Sequence, residues 1–318
     1  MKKILLLGKD GQLGWSLQRA LAPLGALVAL GRSELDLSNS KQLRARVLHE
    51  QAQLIVNAAA YTAVDQAETE CAQEGAQSAC WQVNASAPGV LAEAAQHCGA
   101  LLLHYSSDYV FDGGKNSAYV ESDTPNPQSF YGRSKLAGEQ AISASGCSAI
   151  IFRTSWVFGA HGHNFVKTIL RMAHQGRALR IIDDQIGAPT PSDLIADISS
   201  HVVRQRWRNA AQAGQEDPNL SGTQLYHLAA AKPLSWCAFA RAIVTQARAV
   251  SGAKMPNGKA WPDAQSISAI STSEYPLPAP RPANSRLDCT RLEQDFSLTL
   301  PDWQPYLTRL LPQLIAQG

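Results

Sequence analysis

The beginning of the chain places three glycines, spaced three residues apart, between a continuous apolar run and an amphipathic run. Residues 3–7 are typical of a buried parallel strand, and residues 15–24 have the spacing of an amphipathic helix. Gly8 permits a tight turn, Gly11 lets the backbone approach a pyrophosphate, and Gly14 lets the helix pack closely on the strand. The free N–H groups at a helix start attract phosphates. This segment therefore predicts a strand, turn and helix that bind a dinucleotide.

The alternation of strand and helix patterns continues through the first half of the chain. Regular alternation of this kind predicts an α/β fold, here a Rossmann-type doubly wound parallel sheet with helices on both faces. The further predicted strands are 27–30, 54–57, 101–105 and 149–153, and the further predicted helices are 40–50, 85–97 and 128–144.

The alternation weakens in the second half of the chain. Residues 207–222 are polar and rich in alanine, and residues 253–286 contain many prolines, so we expect no long regular elements there. Residues 225–228 are predicted to form a strand that returns to the main sheet. The chain would then have a discontinuous NADP-binding Rossmann domain, residues 1–158 plus 189–231. A smaller C-terminal substrate-binding domain would consist of residues 159–188 plus 232–318.

The composition argues against several classes of protein. Among 318 residues, 45% are hydrophobic and 17% charged, which excludes a disordered or fibrous chain. The net charge of +2 gives no indication of a nucleic-acid partner, and no segment is apolar enough to suggest a membrane partner. The six cysteines lack CxxC or CxxH spacing, which argues against zinc and a disulfide framework. We expect a cytoplasmic protein.

The end of the second predicted strand bears on the choice of dinucleotide. Arg32 follows this strand, and a guanidinium can hold the 2′-phosphate of NADP bidentately, so the sequence favours NADPH. Glu34 or Asp36 could instead reach an NAD ribose, which leaves NADH as the alternative. Asp36 and Leu37 lie where an adenine edge could be met. Ala59, Ala60 and Tyr61 follow the third strand, where the cofactor should cross the sheet.

Tyr131 and Lys135 are four residues apart in a predicted helix, and therefore lie on one helix face. There the ammonium can stabilise the phenolate, lower the pKa of the tyrosine and make it a proton donor. Ser106 and Ser107 follow the fourth strand, at the sheet edge where open α/β folds bind ligands. YxxxK pairs and serine-rich turns each arise by chance in many proteins. Their order here, after a cofactor turn, predicts the catalytic site of an oxidoreductase.

Other catalytic patterns find little support in the sequence. There is no GxSxG segment of the kind that serine hydrolases use, and no HExxH segment of the kind that binds zinc. His161 and His163 are better explained as loop residues.

These motifs resemble those of the extended short-chain dehydrogenase/reductases, and among them the dTDP-4-dehydrorhamnose reductases. The resemblance covers almost the whole chain, and its two late segments, DQIGAPT and RPANSRLD, are more specific than the glycine turn or YxxxK. The matching segments are GKDGQLG at 8–14, VNAAAYTAVD at 56–65, SSDYVFDG at 106–113, YGRSKLAGE at 131–139, FRTSWV at 152–157, DQIGAPT at 184–190 and RPANSRLD at 281–288.

The resemblance implies a reaction and a role for each matching residue. The reaction is the NADPH-dependent reduction of the 4-keto group of dTDP-4-dehydro-β-L-rhamnose to dTDP-β-L-rhamnose. This is the final step of dTDP-L-rhamnose synthesis for cell-surface polysaccharide such as lipopolysaccharide O-antigen. The implied catalytic residues are Tyr131, Lys135 and Ser107. The implied residues of the dTDP-sugar site are Ser107, Asp108, Trp156, Asn164, Arg281 and Asn284. The implied NADPH-site residues are Gly8, Gly11, Gln12, Leu13, Gly14, Arg32, Asp36, Leu37, Ala59, Ala60, Tyr61, Tyr105, Tyr131 and Lys135.

Two departures from the family pattern qualify the resemblance. Residues 71–82 form an extra-looking stretch where we expect a shorter acidic turn. Some family members dimerise through a divalent metal held by glutamates, but Ser16 stands where such a glutamate would be. The sequence therefore argues against a Mg²⁺-bridged dimer and predicts no catalytic metal, while a homodimer of another kind remains compatible with it.

Two alternative functions are compatible with parts of the pattern. A nucleotide-sugar epimerase or dehydratase of the same superfamily would hold NAD tightly and recycle it, but Arg32 and the DQIGAPT segment argue against this. A non-catalytic NADP-binding regulatory subunit would have no chemical need for both Tyr131 and Lys135.

Overall fold

The structure is a computed structural model that describes residues 1–213, 222–252 and 254–317. The strands are β1 (Lys3–Leu7), β2 (Ala26–Leu30), β3 (Leu54–Asn57), β4 (Leu101–Ser107), β5 (Ala149–Thr154), β6 (Val157–Phe158), β7 (Arg180–Ile182), β8 (Ile186–Gly187), β9 (Thr190–Pro191), β10 (Thr223–His227), β11 (Leu234–Ser235) and β12 (Ser268–Ile270). The helices are α1 (Gln12–Leu21), α2 (Ser40–Glu50), α3 (Val64–Glu74), α4 (Ala79–Trp81), α5 (Ala87–Cys98), α6 (Phe130–Ser145), α7 (Phe165–His174), α8 (Ser192–Ala213), α9 (Trp236–Ser251), α10 (Thr290–Phe296) and α11 (Gln304–Gln317).

Six strands form one parallel sheet in the order β2-β1-β3-β4-β5-β10. Every pairing within it is parallel. The strand order reverses between β1 and β3, and such a reversal opens a crevice at the carboxyl edge where α/β proteins bind ligands. The predicted α/β Rossmann-type fold is confirmed.

The sheet is buried on both faces because its strands are apolar at successive positions. Ile4 and Leu6 of β1 belong to a core cluster that includes residues of α1 and α8. Leu5 and Leu7 belong to a second cluster on the other face, with residues of α2, α5 and α6. Alternate side chains of a strand point to opposite faces, so a run of leucines fills both cores.

The last strand of the sheet comes from far along the chain. β10 pairs with β5 from Thr223 opposite Ala149 to His227 opposite Arg153. The sequence predicted this returning strand at residues 225–228, so the predicted start is two residues later than the observed one. The excursion between β5 and β10 carries α7, α8 and four short strands.

Two predicted helical boundaries differ from the structure. α1 begins at Gln12 rather than residue 15, because Gly11 is already its N-cap, and it gives way to a 3-10 turn that contains Pro23. α8 continues to Ala213, so the expectation of no long element in 207–222 is wrong for its first seven residues. The first half of this helix packs along α1. Near its end Trp207 packs against the core cluster of β1, and that packing outweighs the polar composition. Residues 214–221 lie outside the described part.

The unusual stretch at residues 71–82 folds beneath the predicted catalytic helix. It contains the end of α3, a 3-10 turn and α4, and a π-helical segment follows at residues 82–86. Cys80 is fully buried and clusters with Phe130, the first residue of α6. This stretch therefore supports the start of α6.

A third large core cluster lies in the second half of the chain, between α7, α9 and α11. Phe239, Trp303 and Leu311 are among its buried members. Short strand pairs border it, namely β11 with β8, β12 with β7 and β6 with β9. Among the described residues, no helix is long and apolar enough to cross a membrane.

Candidate active site

The glycine turn has the close packing that the sequence predicts. Gly8 has a φ of +85°, and a Cβ there would lie 2.7 Å from the backbone N of Ala59. A Cβ on Gly14 would lie 1.9 Å from the carbonyl oxygen of Gly8. A Cβ on Gly11 would meet only that carbonyl, at 3.4 Å. Gly8 and Gly14 are thus required by the fold, while Gly11 keeps the mouth of the turn free of side chains.

The N-terminus of α1 is suited to an anion. Its N-cap, Gly11, provides no side-chain hydrogen bond, and there is no acidic residue in the first turn. By contrast, α2, α6, α7 and α9 are capped by Asn39, Ser129, Asn164 and Ser235. The first N–H groups of α1, including those of Gln12 and Leu13, remain available to phosphate oxygens. This arrangement fits a dinucleotide pyrophosphate.

The residues after β2 distinguish Arg32 from its acidic neighbours. Glu34 accepts a hydrogen bond from the Gly31 N–H at 2.8 Å and forms an ion pair with Lys9. Asp36 accepts a hydrogen bond from the Ser38 N–H at 3.0 Å. Arg32 is exposed and has no hydrogen bond or ion pair with any residue that the structure describes. Its guanidinium is therefore free to hold a phosphate.

The carboxyl end of β4 delivers a buried serine and a buried carboxyl group. The Ser107 hydroxyl donates to Asp108 Oδ1 at 2.9 Å and accepts from the Tyr109 N–H at 3.2 Å. Burial raises the pKa of Asp108 to about 6, although hydrogen bonds from Ser285 and Ser107 oppose this rise. Ser106, the neighbour of Ser107, has a buried hydroxyl without a partner among the described residues.

Tyr131 lies in the first turn of α6, beside Ser107. Ser129 caps this helix by accepting from the Gly132 N–H at 3.1 Å. The Tyr131 ring meets Tyr109 edge to face, with 5.5 Å between the ring centroids. Burial raises the pKa of Tyr131, and a hydrogen-bonding interaction with Ser107 lowers it in part. The phenol is therefore protonated at neutral pH, as a proton donor must be.

Lys135 follows one turn later and is 1% exposed. Its ammonium donates to the carbonyl oxygen of Tyr105 at 2.6 Å. Burial lowers the pKa of Lys135 to about 8, while the nearby charge of Glu139 raises it. The expected lowering of the Tyr131 pKa by Lys135 does not appear in this structure, in which burial raises that pKa and the ammonium binds the Tyr105 carbonyl.

Behind Lys135 lies a buried ion pair that the sequence prediction missed. Arg153 Nη2 lies 2.6 Å from Glu139 Oε2, and Arg153 Nε lies 3.0 Å from Oε1. The two side chains are 3% and 6% exposed. Glu139 is four residues after Lys135, so a YxxxKxxxE spacing could have indicated Glu139, although not its partner Arg153.

Trp156 lies just after β5 and has a φ of +46°, which is unusual for a bulky residue. Its ring stacks on Trp236 with centroids 3.5 Å apart and an interplanar angle of 8°. Trp236, the first residue of α9, is a second residue that the sequence prediction missed.

The remaining predicted substrate residues are engaged in internal contacts. Arg281 forms a bidentate ion pair with Asp65, at 2.6 Å and 2.7 Å. Asn164 donates to the side-chain oxygen of Gln12 at 3.1 Å. Asn284 donates to the carbonyl oxygens of residues 115 and 117. These contacts join the late part of the chain to the glycine turn and to the loop after β4.

Tyr105 is positioned differently from the other residues predicted for the NADPH site. Its hydroxyl forms a hydrogen bond with Ser199 of α8 at 2.7 Å and is buried in the core. Its contribution to the site is the backbone carbonyl that holds Lys135.

Two surface cavities lie away from this arrangement. One of about 400 Å³ is lined by α7 and α11 residues, and one of about 410 Å³ by residues of α8 and the end of α10. Neither is lined by a predicted site residue. Among the residues described, no group of three or more His, Cys, Asp or Glu side chains could hold a metal ion.

Comparisons with known proteins agree with the geometry. The family model for the RmlD substrate binding domain matches residues 1–315. A dTDP-4-dehydrorhamnose reductase of Burkholderia thailandensis is 44% identical over 316 residues, which cover 99% of this chain and 100% of that protein. The Escherichia coli K12 enzyme of the same name is 41% identical, over 98% of this chain and 97% of the relative.

Solved structures give the same result. The crystal structure of a Bacillus anthracis dTDP-4-dehydrorhamnose reductase in complex with NADP is 31% identical, with a TM-score of 0.82, and the match covers 98% of this chain and 99% of that one. A Yersinia enterocolitica enzyme of the same name has a TM-score of 0.79 at 26% identity, over 99% of this chain and 100% of that one. With its glycine turn, its paired Tyr131 and Lys135 and these full-length relatives, the chain belongs to the dTDP-4-dehydrorhamnose reductase family.

Proposed function

We propose that this protein reduces the 4-keto group of dTDP-4-dehydro-β-L-rhamnose with NADPH and forms dTDP-β-L-rhamnose, the final step of dTDP-L-rhamnose synthesis. The observation that carries the proposal is the placement of Tyr131 beside Ser107 at the carboxyl end of β4, with Lys135 one helical turn away on the Tyr105 carbonyl. They lie at the same sheet edge as the glycine turn, which is where a hydride donor and a ketone must meet.

NADPH, when bound, supplies the hydride for the carbonyl carbon. We propose that Gly8, Gly11 and Gly14, with the N–H groups of Gln12 and Leu13, hold its pyrophosphate. Asp36, Leu37, Ala59, Ala60 and Tyr61 would line the rest of the cofactor site. Arg32 would hold the 2′-phosphate, since its exposed guanidinium makes no hydrogen bond or ion pair with a described residue and has only a longer-range attraction to Asp36.

Proton delivery is the role of the tyrosine and its neighbours. Tyr131 would donate its phenolic proton to the carbonyl oxygen, and Ser107 would hold that oxygen through a hydrogen bond. Lys135 is fixed on the Tyr105 carbonyl, one turn of α6 after Tyr131. As the phenol loses its proton, this cation would stabilise the phenolate.

The sugar nucleotide would lie between the end of β4 and the late loops. Asp108 and Trp156 would contact the sugar, and Arg281 would approach the diphosphate after exchanging some of its contact with Asp65. Asn164 and Asn284 would shape this region through the contacts that they already make.

We further propose that the chain forms the two lobes predicted from its sequence. We also propose that the protein is cytoplasmic and assembles as a homodimer. The separate core between α7, α9 and α11 supports the smaller lobe. The six cysteines are all free, which suits a reducing compartment. Light scattering on the purified protein measures the assembly, and a monomeric mass would contradict the homodimer.

The reductase activity can be tested by following the absorbance of NADPH in the presence of dTDP-4-dehydrorhamnose. We expect stoichiometric NADPH oxidation by the natural protein. Tyr131→Phe should lower kcat by about 10² to 10⁴ and leave the NADPH Kd unchanged. An epimerase or dehydratase would show no net oxidation, and a regulatory subunit would bind NADPH without turnover; either result would reject the proposal.

The cofactor preference has a separate test. Arg32→Ala should raise the Kd for NADPH by about tenfold and leave that for NADH unchanged. Arg44→Ala is a matched control, since Arg44 is an exposed arginine that is paired with Glu93 on another surface. Equal changes in the Kd values for NADPH and NADH would show that Arg32 does not contact the 2′-phosphate.

A further inference from the structure

The backbone of Trp156 adopts a conformation that a bulky side chain seldom tolerates. Its φ of +46° lies in the left-handed region, which favours glycine. Its neighbours Ser155 and Val157 are held in place by a hydrogen bond to the Ala188 carbonyl and by the pairing of β6 with β9. Strain of this kind persists where the surroundings determine the conformation. We therefore expect contacts of the indole to hold the Trp156 backbone in this conformation.

Two residues from distant parts of the chain enclose the Trp156 indole. Trp236 stacks on it, nearly parallel, with centroids 3.5 Å apart. Gly187 lies against the ring itself, and a Cβ at Gly187 would come within 2.4 Å of Trp156 Cε2 and 2.6 Å of Nε1. Any side chain at position 187 would therefore displace the indole. This gives a physical reason for a glycine in the DQIGAPT segment.

Trp236 is itself held in place. It is the first residue of α9, and Ser235 caps that helix by accepting from the Ala238 N–H at 3.0 Å. Leu234 pairs with Gly187 in the short sheet of β11 and β8. Phe165, at the start of α7, packs on the Trp236 ring with centroids 4.6 Å apart. The two indoles and Gly187 therefore form one unit, which we call the tryptophan pair.

The polar atom of the Trp156 indole is left available. Within residues 1–213, 222–252 and 254–317, Trp156 Nε1 makes no hydrogen bond, whereas the Nε1 atoms of Trp261 and Trp303 do. An indole N–H is a donor only, so its natural partner is a hydroxyl or carbonyl oxygen of a ligand. Stacking on Trp236 fixes the direction in which this donor points.

We propose that Trp236 is a positioning residue of the sugar subsite: it holds the Trp156 indole by stacking, in space that Gly187 leaves free, so that the indole N–H is presented to the substrate. This inference rests on the proposed function, in which Trp156 contacts the sugar nucleotide. It assigns substrate affinity to a residue that does not itself need to touch the substrate.

The test compares Trp236→Leu and Trp236→Phe with the natural protein. Trp236→Leu removes the stack and should raise the KM for dTDP-4-dehydrorhamnose by about fivefold to tenfold, a range set by the strength of an aromatic pair. The Kd for NADPH should stay within about twofold, and Trp236→Phe should be intermediate. Gly187→Ala should raise the same KM, because its Cβ displaces the indole.

Fluorine NMR of protein labelled with fluorotryptophan gives a readout that general destabilisation would not produce. The Trp156 resonance, identified by its loss in Trp156→Leu, should shift in Trp236→Leu and in Gly187→Ala. Trp207→Leu is the matched control, since Trp207 lies on α8 beneath the Lys2 ammonium and outside the site. It should change neither the Trp156 resonance nor the KM.

The outcomes separate this inference from the proposed function. A raised KM in Trp156→Leu with an unchanged KM in Trp236→Leu would overturn the positioning role and leave the sugar contact intact. An unchanged KM in Trp156→Leu would overturn both the positioning role of Trp236 and the sugar contact of Trp156. Should Trp236→Leu fail to bind NADPH, Trp236→Phe and Gly187→Ala carry the test, and unchanged KM values in both would reject the inference.

Discussion

The environment of Lys135 shows how burial and charge set the state of a single residue. Burial alone would push this ammonium toward its neutral form, and its pKa falls to about 8. Glu139 is fixed by Arg153 and opposes that fall. His104 of β4 also faces Lys135 and is neutral because burial lowers its pKa well below the usual value. Cys80, from α4, acts on Lys135 in the same direction as Glu139.

The first prediction concerns the alkaline side of the pH profile. In the proposed reaction Lys135 is charged, so kcat/KM for NADPH should fall as the pH rises through about 8. Glu139→Gln keeps the shape of the side chain and removes its charge, so this fall should move to lower pH by about one unit. Glu93→Gln, at an exposed ion pair, is the control and should leave the profile unchanged. An unshifted profile in Glu139→Gln would contradict this role.

The second prediction concerns Asp108 and stability. Its pKa is raised from 3.8 to about 6, so the folded state binds this proton more tightly than the unfolded chain does. The resulting contribution to stability is present below pH 4 and is lost as the pH rises through about 6. Asp108→Asn is neutral at all pH values. Urea unfolding should therefore show the variant gaining about 1 to 3 kcal/mol relative to the natural protein between pH 4 and pH 7.

At the scale of elements, the turn between β1 and α1 tolerates few substitutions of its glycines. The predicted reason for Gly14 was close packing of helix on strand, and the structure places the missing Cβ 1.9 Å from a backbone oxygen. A backbone atom cannot move aside as the end of a side chain can. The turn and the helix start must therefore shift together if a side chain is added.

Gly14→Ala should consequently weaken both folding and cofactor binding. We expect a loss of about 2 kcal/mol in the free energy of unfolding, as for other overpacked sites, and an NADPH Kd at least about tenfold higher. Gly114→Ala is the control, because a Cβ there meets only the Asp112 carboxylate, at 3.5 Å. Unchanged NADPH binding in Gly14→Ala would show that the turn does not position the phosphates.

Elements with regular patterns were predictable from the sequence, and irregular ones were not. Periodicity placed the strands from β1 to β5, and α6 begins and ends within two residues of its predicted range. The 3-10 and π-helical segments around Cys80 were missed, because their turns are fixed by packing under Phe130 rather than by a repeating pattern. The end of α8 was missed because packing of Trp207 against the core cluster of β1 outweighs a polar composition.

The candidate site divides in a similar way. Family, fold, reductase function and NADP cofactor, as predicted from motifs, are confirmed by the comparisons. The roles of individual residues remain predictions. Trp236, Glu139 and Asp65 act through partners that lie 14 to 216 positions away in the chain, and a single sequence does not reveal such pairings.

At the scale of the whole molecule, the pairing of Asp65 with Arg281 ties the late loop to the start of α3. Asp65 also accepts the Ala279 N–H at 3.1 Å, and Arg281 donates to the Ala279 carbonyl at 2.6 Å. The loop before this anchor exposes Tyr275 (53%) and Leu277 (37%). A single carboxylate therefore controls how tightly the late loop is held.

Asp65→Asn should loosen this loop without unfolding the protein. Hydrogen exchange measured by mass spectrometry should be several times faster over residues 273–281, which include the Ala279 amide held by Asp65, because exchange tracks local opening. Glu274→Gln breaks an exposed pair with Arg180 nearby and should alter the exchange rate much less. Equal rates in Asp65→Asn and the natural protein would show that other contacts hold the loop.

The return of β10 to the edge of the sheet has a consequence for biosynthesis. Its partner β5 ends at Thr154, whereas β10 begins at Thr223, so a nascent chain presents β5 with an open edge until almost seventy further residues have left the ribosome. Unpaired strand edges are where chains aggregate. Products truncated before residue 223 should accordingly precipitate or recruit chaperones, whereas truncations after β10 should leave the edge of β5 paired.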